Sequence, residues 1–202
     1  MNPADQYQHA SIHSTSDQLL WEGLQVGDQK AYASIYDQYV GQLYTYGKKL
    51  TSNTALVEDA IQEIFIELWR YRTGLGQVRS IKAYLFTCLR RQMFKSIKKE
   101  IFVLNEDYLK EDNFELELSA QDLLIQQEDK QTEVEKIKKA LNHLTRRQKE
   151  IIYLKFFQEL SYEEIGQMMD LSQRGTYNLV SKALAILKEK LIIIFLLFLI
   201  WK

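Results

Sequence analysis

From residue 17 onward, apolar side chains recur at helical spacing and no proline interrupts them; the sole proline is Pro3. Leu19, Leu20 and Leu24 open the pattern, and Tyr32, Ile35, Tyr36, Tyr39, Leu43, Tyr46 and Leu50 carry it on at i, i+3, i+4 and i+7. Asp28, directly after Gly27, is placed to cap this second run. TSNT (residues 51–54) breaks the pattern, and a further helix is predicted from about Ala55 to Arg72 with Ile61, Ile64, Phe65, Leu68 and Trp69 as its apolar stripe. After a loop over Thr73–Ser80, Ser80 caps a helix in which Ile81, Leu85, Leu89, Met93 and Ile97 face the core. Val134, Ile137, Leu141 and Leu144 begin a second set. Thr145-Arg146-Arg147-Gln148 and Ser161-Tyr162-Glu163-Glu164 each have the capping-box form, opening helices through about Phe157 and beyond Ser161. Asp170-Leu171-Ser172 forms a tight turn, and Ser172 caps a last helix to about Leu191. No stretch shows strand alternation, and eight Gly with one Pro are too few for the tight turns of a sandwich, barrel or propeller. The expectation is an all-α chain.

Charge divides that chain. Arg79, Lys82, Arg90, Arg91, Lys95, Lys98 and Lys99 form a basic block with no acidic residue among them. From Glu100 to Glu135, twelve Asp or Glu stand against Lys110 and Lys130. From Lys136 to Lys155, seven Lys or Arg stand against Glu150. The net charge of -1 therefore conceals two basic footprints either side of an acidic connector. Two anion-binding modules explain this, and so do simple solvated helix faces. The predicted organisation is a flexible N-terminal tail over 1–16, a helical domain over 17–100 and an acidic linker over 101–133. A helix-turn-helix domain follows over 134–190, then an apolar C-terminal tail over 191–202.

The single cysteine, Cys88, excludes a disulfide framework and fits a reducing cytosol. His9, His13 and His143 are too few and too scattered for a metal cluster, and the opening residues do not form a signal peptide. There is no Ser/His/Asp arrangement and no phosphate-cradling glycine motif; Gly74 and Gly76 are loop glycines. Asp59 and Glu63 are paired carboxylates without a nucleophile or ligand beside them. The residues point away from an enzyme, a cofactor or a small-molecule substrate.

Three surfaces carry the remaining chemistry. Asp59, Gln62, Glu63 and Glu67 form a polar face opposite the stripe of their helix. On the next helix Tyr84, Cys88, Arg91, Lys95 and Lys98 line up at i, i+4, i+7, i+11 and i+14: cations for phosphates and an aromatic for a base, or a core-edge tyrosine among solubilising cations. Ser161–Leu191 has helix-turn-helix proportions, with Gly166 at the close approach and Leu171 in the turn. Val180, Ala183, Leu184 and Leu187 hold its second helix, leaving Gln173, Arg174, Tyr177, Asn178, Ser181 and Lys182 facing outward. Arg suits guanine, and Asn or Gln adenine, while Lys182, Arg146, Arg147 and Lys149 suit phosphates.

These residues resemble the extracytoplasmic-function (group IV) class of sigma-70 family sigma factors, which carry only the second and fourth conserved regions. The resemblance covers about Asp17–Glu100 and Val134–Lys190. Asp59-Ala60-Ile61-Gln62-Glu63-Ile64-Phe65 followed by Leu68-Trp69 is similar to that class's D-x-x-Q-E-x-F…W signature. The resemblance implies that this helix docks on the β′ clamp helices of core RNA polymerase, with the β flap as a second polymerase contact. It implies that the Tyr71–Ser80 loop captures a flipped base of the −10 element, with Arg72, Thr73 and Gln77 as candidates, and that Ile81–Lys99 handles the same element. Leu144–Glu150 and Leu160–Ile165 match the fourth region, which reads the −35 element in the major groove. The recognition helix is less basic than is common in the class, with Arg174 and Lys182 alone in 172–183, and Gly175 in its first turn costs up to ~1 kcal/mol relative to Ala.

Leu191–Trp201 is an unbroken apolar run. As a helix it spans ~16 Å against ~30 Å of bilayer core, so it is not transmembrane by itself. The expectation is burial within the protein, holding a closed state that cannot bind DNA, or against an anti-sigma factor. Two other functions fit parts of the chain: a stand-alone helix-turn-helix regulator, and an all-helical adaptor for acidic proteins. Neither needs a polymerase-docking face.

Overall fold

The computed structural model describes residues 16–104, 114 and 137–201, and over 98–104 and 192–201 the backbone alone. Every element among the described residues is helical. The chain divides into two compact units, Met1–Tyr108 and Leu109–Lys202.

In the first unit, α1 (residues 16–25) leads into α2 (Gln29–Leu50), α3 (Thr54–Arg70) and α4 (Ile81–Leu104), and the last three pack on one another. The starts are capped, at Asp28 and Ser80 as the sequence predicts and at Asn53 besides. The Asp28 carboxylate accepts from Lys30 N–H (2.8 Å), Asn53 from Leu56 N–H (3.2 Å), and the Ser80 hydroxyl from Ala83 N–H (3.1 Å). Ile35, Leu43, Leu85, Leu89 and Met93 are fully enclosed between the three helices, each burial contributing roughly 1.5–3 kcal/mol.

Periodicity misplaces a few side chains. Leu19 is 66% exposed, and Tyr36 is exposed as well. The interior of α1 is Leu24, as the spacing has it, together with Trp21, and Phe86 joins the core from α4, stacked on Tyr46 at 5.2 Å. Helix α1 meets the rest of the unit along its 17–21–24 line. Spacing marks an apolar face but not which of its edges the neighbouring helix covers.

The second unit contains α5 (137–141), α6 (Arg146–Ile152), α7 (Tyr162–Met169) and α8 (Gln173–Trp201). Both capping boxes form: Thr145 with Gln148 and Ser161 with Glu164 each exchange bonds in both directions. The helix expected to run to Phe157 changes winding on the way. Tyr153–Phe157 is a π turn, closed by Gln158 N–H donating to the Tyr153 carbonyl (3.1 Å).

Three boundaries differ from expectation. Helix α4 continues four residues into the stretch assigned to the linker, to Leu104. Phe114, the one described residue in the rest of that stretch, is 1% exposed with its ring 6.0 Å from Tyr153, so it is a core residue of the second unit. Helix α8 runs unbroken through Trp201, because nothing between Leu191 and Trp201 terminates a helix. The backbone of the apolar tail is therefore the end of α8, and its side chains beyond Leu191 lie outside the described residues, as do Val134, the 1–15 tail and most of the linker. No helix among the described residues is long and apolar enough to cross a membrane.

Candidate nucleic-acid and partner interfaces

Helix α3 is buried along Val57, Ile61, Ile64, Phe65 and Leu68, which turns Asp59, Gln62 and Glu67 outward with Glu63 half-buried. The four do not form one uniform patch. Glu67 stands at the edge facing α4, lining a small recess with Tyr71, Leu75, Tyr84 and Cys88. Asp59, Gln62 and Glu63 continue instead into Ile66, which is 47% exposed, and Arg70. Ile66 and Arg70 border an open cleft of about 630 Å³ with Gln29, Tyr32 and Trp69. Ile66 falls outside the apolar stripe of its helix, which is the one sign of its exposure in the sequence.

The loop between α3 and α4 is built from both ends. Residues Arg72–Gly74 make a 3₁₀ turn. The Arg72 guanidinium lies over the Trp69 ring (4.4 Å) and donates to the Trp69 carbonyl (2.7 Å), so this residue holds the loop's start. Thr73 and Gln77 are exposed, and they are the two loop candidates whose side chains face outward.

On α4, Arg91 and Lys95 are exposed; the side chain of Lys98 lies outside the described residues. Tyr84 is half-buried, edge-on to Trp21 with ring centroids 5.1 Å apart. Burial, with Cys88 and then Glu67 nearby, pushes its phenol up to about 12. Burial also raises the Cys88 thiol above its ordinary value, against the opposing pull of Tyr84 and Arg91. Tyr84 thus stands half-buried beside Trp21, while Arg91 and Lys95 are at the surface.

The helix-turn-helix is α7 and α8. Asp170 sits at φ +54° to end α7, the left-handed cap that Asp tolerates better than most residues. A Cβ on Gly166 would lie 3.0 Å from the Leu171 carbonyl and the Thr176 hydroxyl, so the close approach is real. Val180 and Ala183 are buried against the unit; Leu184, assigned to the same row, is exposed, and fully buried Thr176 takes a place in the packing instead. The Thr176 hydroxyl donates to the Ser172 carbonyl (3.0 Å), which is how a polar residue is accommodated there. Gln173, Arg174, Tyr177, Asn178, Ser181 and Lys182 are all exposed on the first three turns of α8. The Gly175 N–H donates to the Ser172 hydroxyl (3.1 Å), the bond that caps α8, and a Cβ at this position would stand 3.1 Å from that hydroxyl.

The arginines of α6 are less free than their position suggests. Arg147 donates to the Met169 carbonyl (3.0 Å) at the end of α7, and Arg146 is half-buried. The Tyr177 ring lies 5.7 Å from Tyr162, whose other neighbour is the Lys155 ammonium at 4.8 Å. Among the described residues no group of three or more His, Cys, Asp or Glu is arranged to hold a metal.

Comparison with known proteins follows these two units. Residues 35–101 match the family model of Sigma-70 region 2, and residues 135–187 that of Sigma-70, region 4. The ECF RNA polymerase sigma factor BldN of Streptomyces coelicolor is 28% identical over 176 residues, 85% of this chain and 64% of that protein. The ECF RNA polymerase sigma factor SigL of Mycobacterium tuberculosis is 31% identical over 61 residues, 30% of this chain and 34% of that one. The chain thus spans a little under two thirds of the first relative and about a third of the second. Among solved structures, CnrH in complex with the cytosolic domain of CnrY aligns at a TM-score of 0.56 and 18% identity, covering 86% of this chain and 96% of that one. The sigma factor RpoE in complex with the anti-sigma factor NepR from Bartonella quintana aligns at 0.58 and 22%, covering 80% and 97%. At these identities the likeness establishes the shared helical fold. Carrying regions 2 and 4 in one chain, this protein belongs to the sigma-70 family, and the relatives BldN and SigL are ECF sigma factors.

Proposed function

We propose that the chain is a promoter-specificity subunit: it binds core RNA polymerase, directs it to particular promoters and helps to open them. The observation that carries this reading is the presence of both family regions in one chain. A stand-alone regulator has use for the α7–α8 helix-turn-helix but none for an outward α3 face of Asp59, Gln62 and Glu63 around Ile66. In this reading that face meets the clamp helices of β′, and the second unit meets the β flap. Thr73 and Gln77, with Arg91, Lys95 and Lys98, serve the −10 element, where Arg72 acts by shaping the loop. Gln173, Arg174, Tyr177, Asn178, Ser181 and Lys182 serve the −35 element in the major groove. Two cations on this recognition surface make its binding depend more on base-edge hydrogen bonds than on counterion release. The protein itself is an initiation factor and not an enzyme, bond formation belonging to the polymerase, and it acts in the cytoplasm. An anti-sigma factor completes the set of partners, as with the RpoE and NepR pair.

The test is run-off transcription with purified core polymerase on fragments of the source genome, comparing the wild type with Asp59→Ala/Glu63→Ala. Protein-dependent transcripts are expected from the wild type. Transcription and core affinity are expected to fall together in the double variant, while the thermal midpoint stays put, because exposed and half-exposed carboxylates contribute little to folding. DNA binding by the protein alone, with no transcript and no core binding, would favour the stand-alone regulator.

A further inference from the structure

Helix α1 lies ahead of the residues that match region 2, yet it makes three bonds to one short stretch of backbone. The Gln25 amide donates to the Leu75 carbonyl at 2.6 Å. The Trp21 indole N–H donates to the Gly76 carbonyl at 2.9 Å. The Asp17 carboxylate accepts from the Ile81 N–H at 3.0 Å, and its other oxygen accepts from the Tyr39 hydroxyl at 3.1 Å. Residues 17, 21 and 25 stand four apart, so they form one stripe along α1, each step rising about 6 Å. Their targets run the opposite way: as α1 is followed back from Gln25 to Asp17, the loop is followed forward from Leu75 to Ile81.

We propose that α1 is a splint for the 71–80 loop, with Trp21 and Gln25 as positioning residues that hold its backbone in the form that captures an unpaired base. The proposal rests on the promoter reading given above. All three bonds go to main-chain atoms, so they set the loop's path and leave the side chains of Thr73 and Gln77 at the surface. The other end of the loop is held by Arg72 on Trp69, and its 3₁₀ turn by Gly74 N–H on the Tyr71 carbonyl (2.9 Å). Between these anchors the loop has little helix of its own to keep it ordered. A loop fixed before DNA arrives does not have to be ordered during capture, and ordering backbone is the main cost of such an encounter. Trp21 is suited to the task because it is fully buried: its indole also packs edge-on against Tyr84, so the donor cannot swing away from Gly76.

The test uses the holoenzyme assembled from core polymerase with the wild type, with Gln25→Met, which keeps the side chain's length and removes the donor, and with Trp21→Phe, which keeps an aromatic ring and removes the indole N–H. The probe is the single-stranded non-template −10 segment of a promoter from which the wild-type holoenzyme gives run-off transcripts. Each variant is expected to bind this strand about three- to tenfold more weakly, the worth of one partly buried hydrogen bond, while core affinity is unchanged. For Gln25→Met the thermal midpoint is also expected to match the wild type. Wild-type affinity for the strand in both variants would overturn the splint, and so would a loss of core affinity in the same proportion, which marks a general structural role. Absence of any protein-dependent transcript with the wild type would overturn the promoter reading, and the splint with it.

Discussion

In the second unit the bonds that start the helices close within a few residues: Thr145 with Gln148, Ser161 with Glu164, Ser172 with Gly175. In the first unit, the loop that matters most is held by partners 50, 55 and 64 residues away, at Gln25, Trp21 and Asp17. Local caps define where a helix begins, and through that where a recognition surface lies. Distant bonds define how an irregular segment is bent, which no neighbouring residue can do for it. The helix-turn-helix thus carries its own instructions, whereas the loop borrows its form from a helix outside the matched region.

That contrast can be broken by substitution. Trp21→Ala removes a fully buried aromatic together with the bond to Gly76, and is expected to cost about 3–5 kcal/mol in urea unfolding. Amide exchange should accelerate at Gly76–Ile81, well away in sequence from the change. Ser161→Ala removes one local cap and is expected to cost about 1 kcal/mol, with faster exchange confined to the first turn of α7. Equal costs for the two, or exchange that spreads beyond α7 in the second, would end the distinction between distant and local support. A further effect is a pH dependence at Tyr84. Its phenol is raised in the folded state to about 12 against 10.0 ordinarily, so the neutral form is favoured by folding. Its contribution to stability is complete below pH 10 and is lost as the pH rises through 12. The thermal midpoint should fall over that window, and less steeply in Tyr84→Phe.

The same contrast explains what could be read in advance. Caps at Asp28, Ser80, Thr145 and Ser161 lie within three residues of the amides they meet. The outward set from Gln173 to Lys182 was legible for a related reason. Val180 and Ala183 mark the buried side, and helical geometry then fixes the opposite one. Tyr84 was ambiguous because stripe spacing does not say whether Trp21 reaches it. Phe114 was missed because it stands among acidic residues and is taken in by Tyr153, remote in sequence, and Ile66 because it sits among the apolar residues of α3 but off their buried stripe.

By itself the sequence determined the all-α class, the places where most helices start, the two-region plan and the family to which the motifs belong. All of these rest on periodicity, capping and short motifs, which act over one or two turns. Only the tertiary structure decided that α1 splints the loop, that Arg72 and Arg147 are occupied by the carbonyls of Trp69 and Met169, and that Phe114 is core. Those outcomes depend on which backbone atoms are brought within about 3 Å by packing, and packing is settled by the whole set of helices at once.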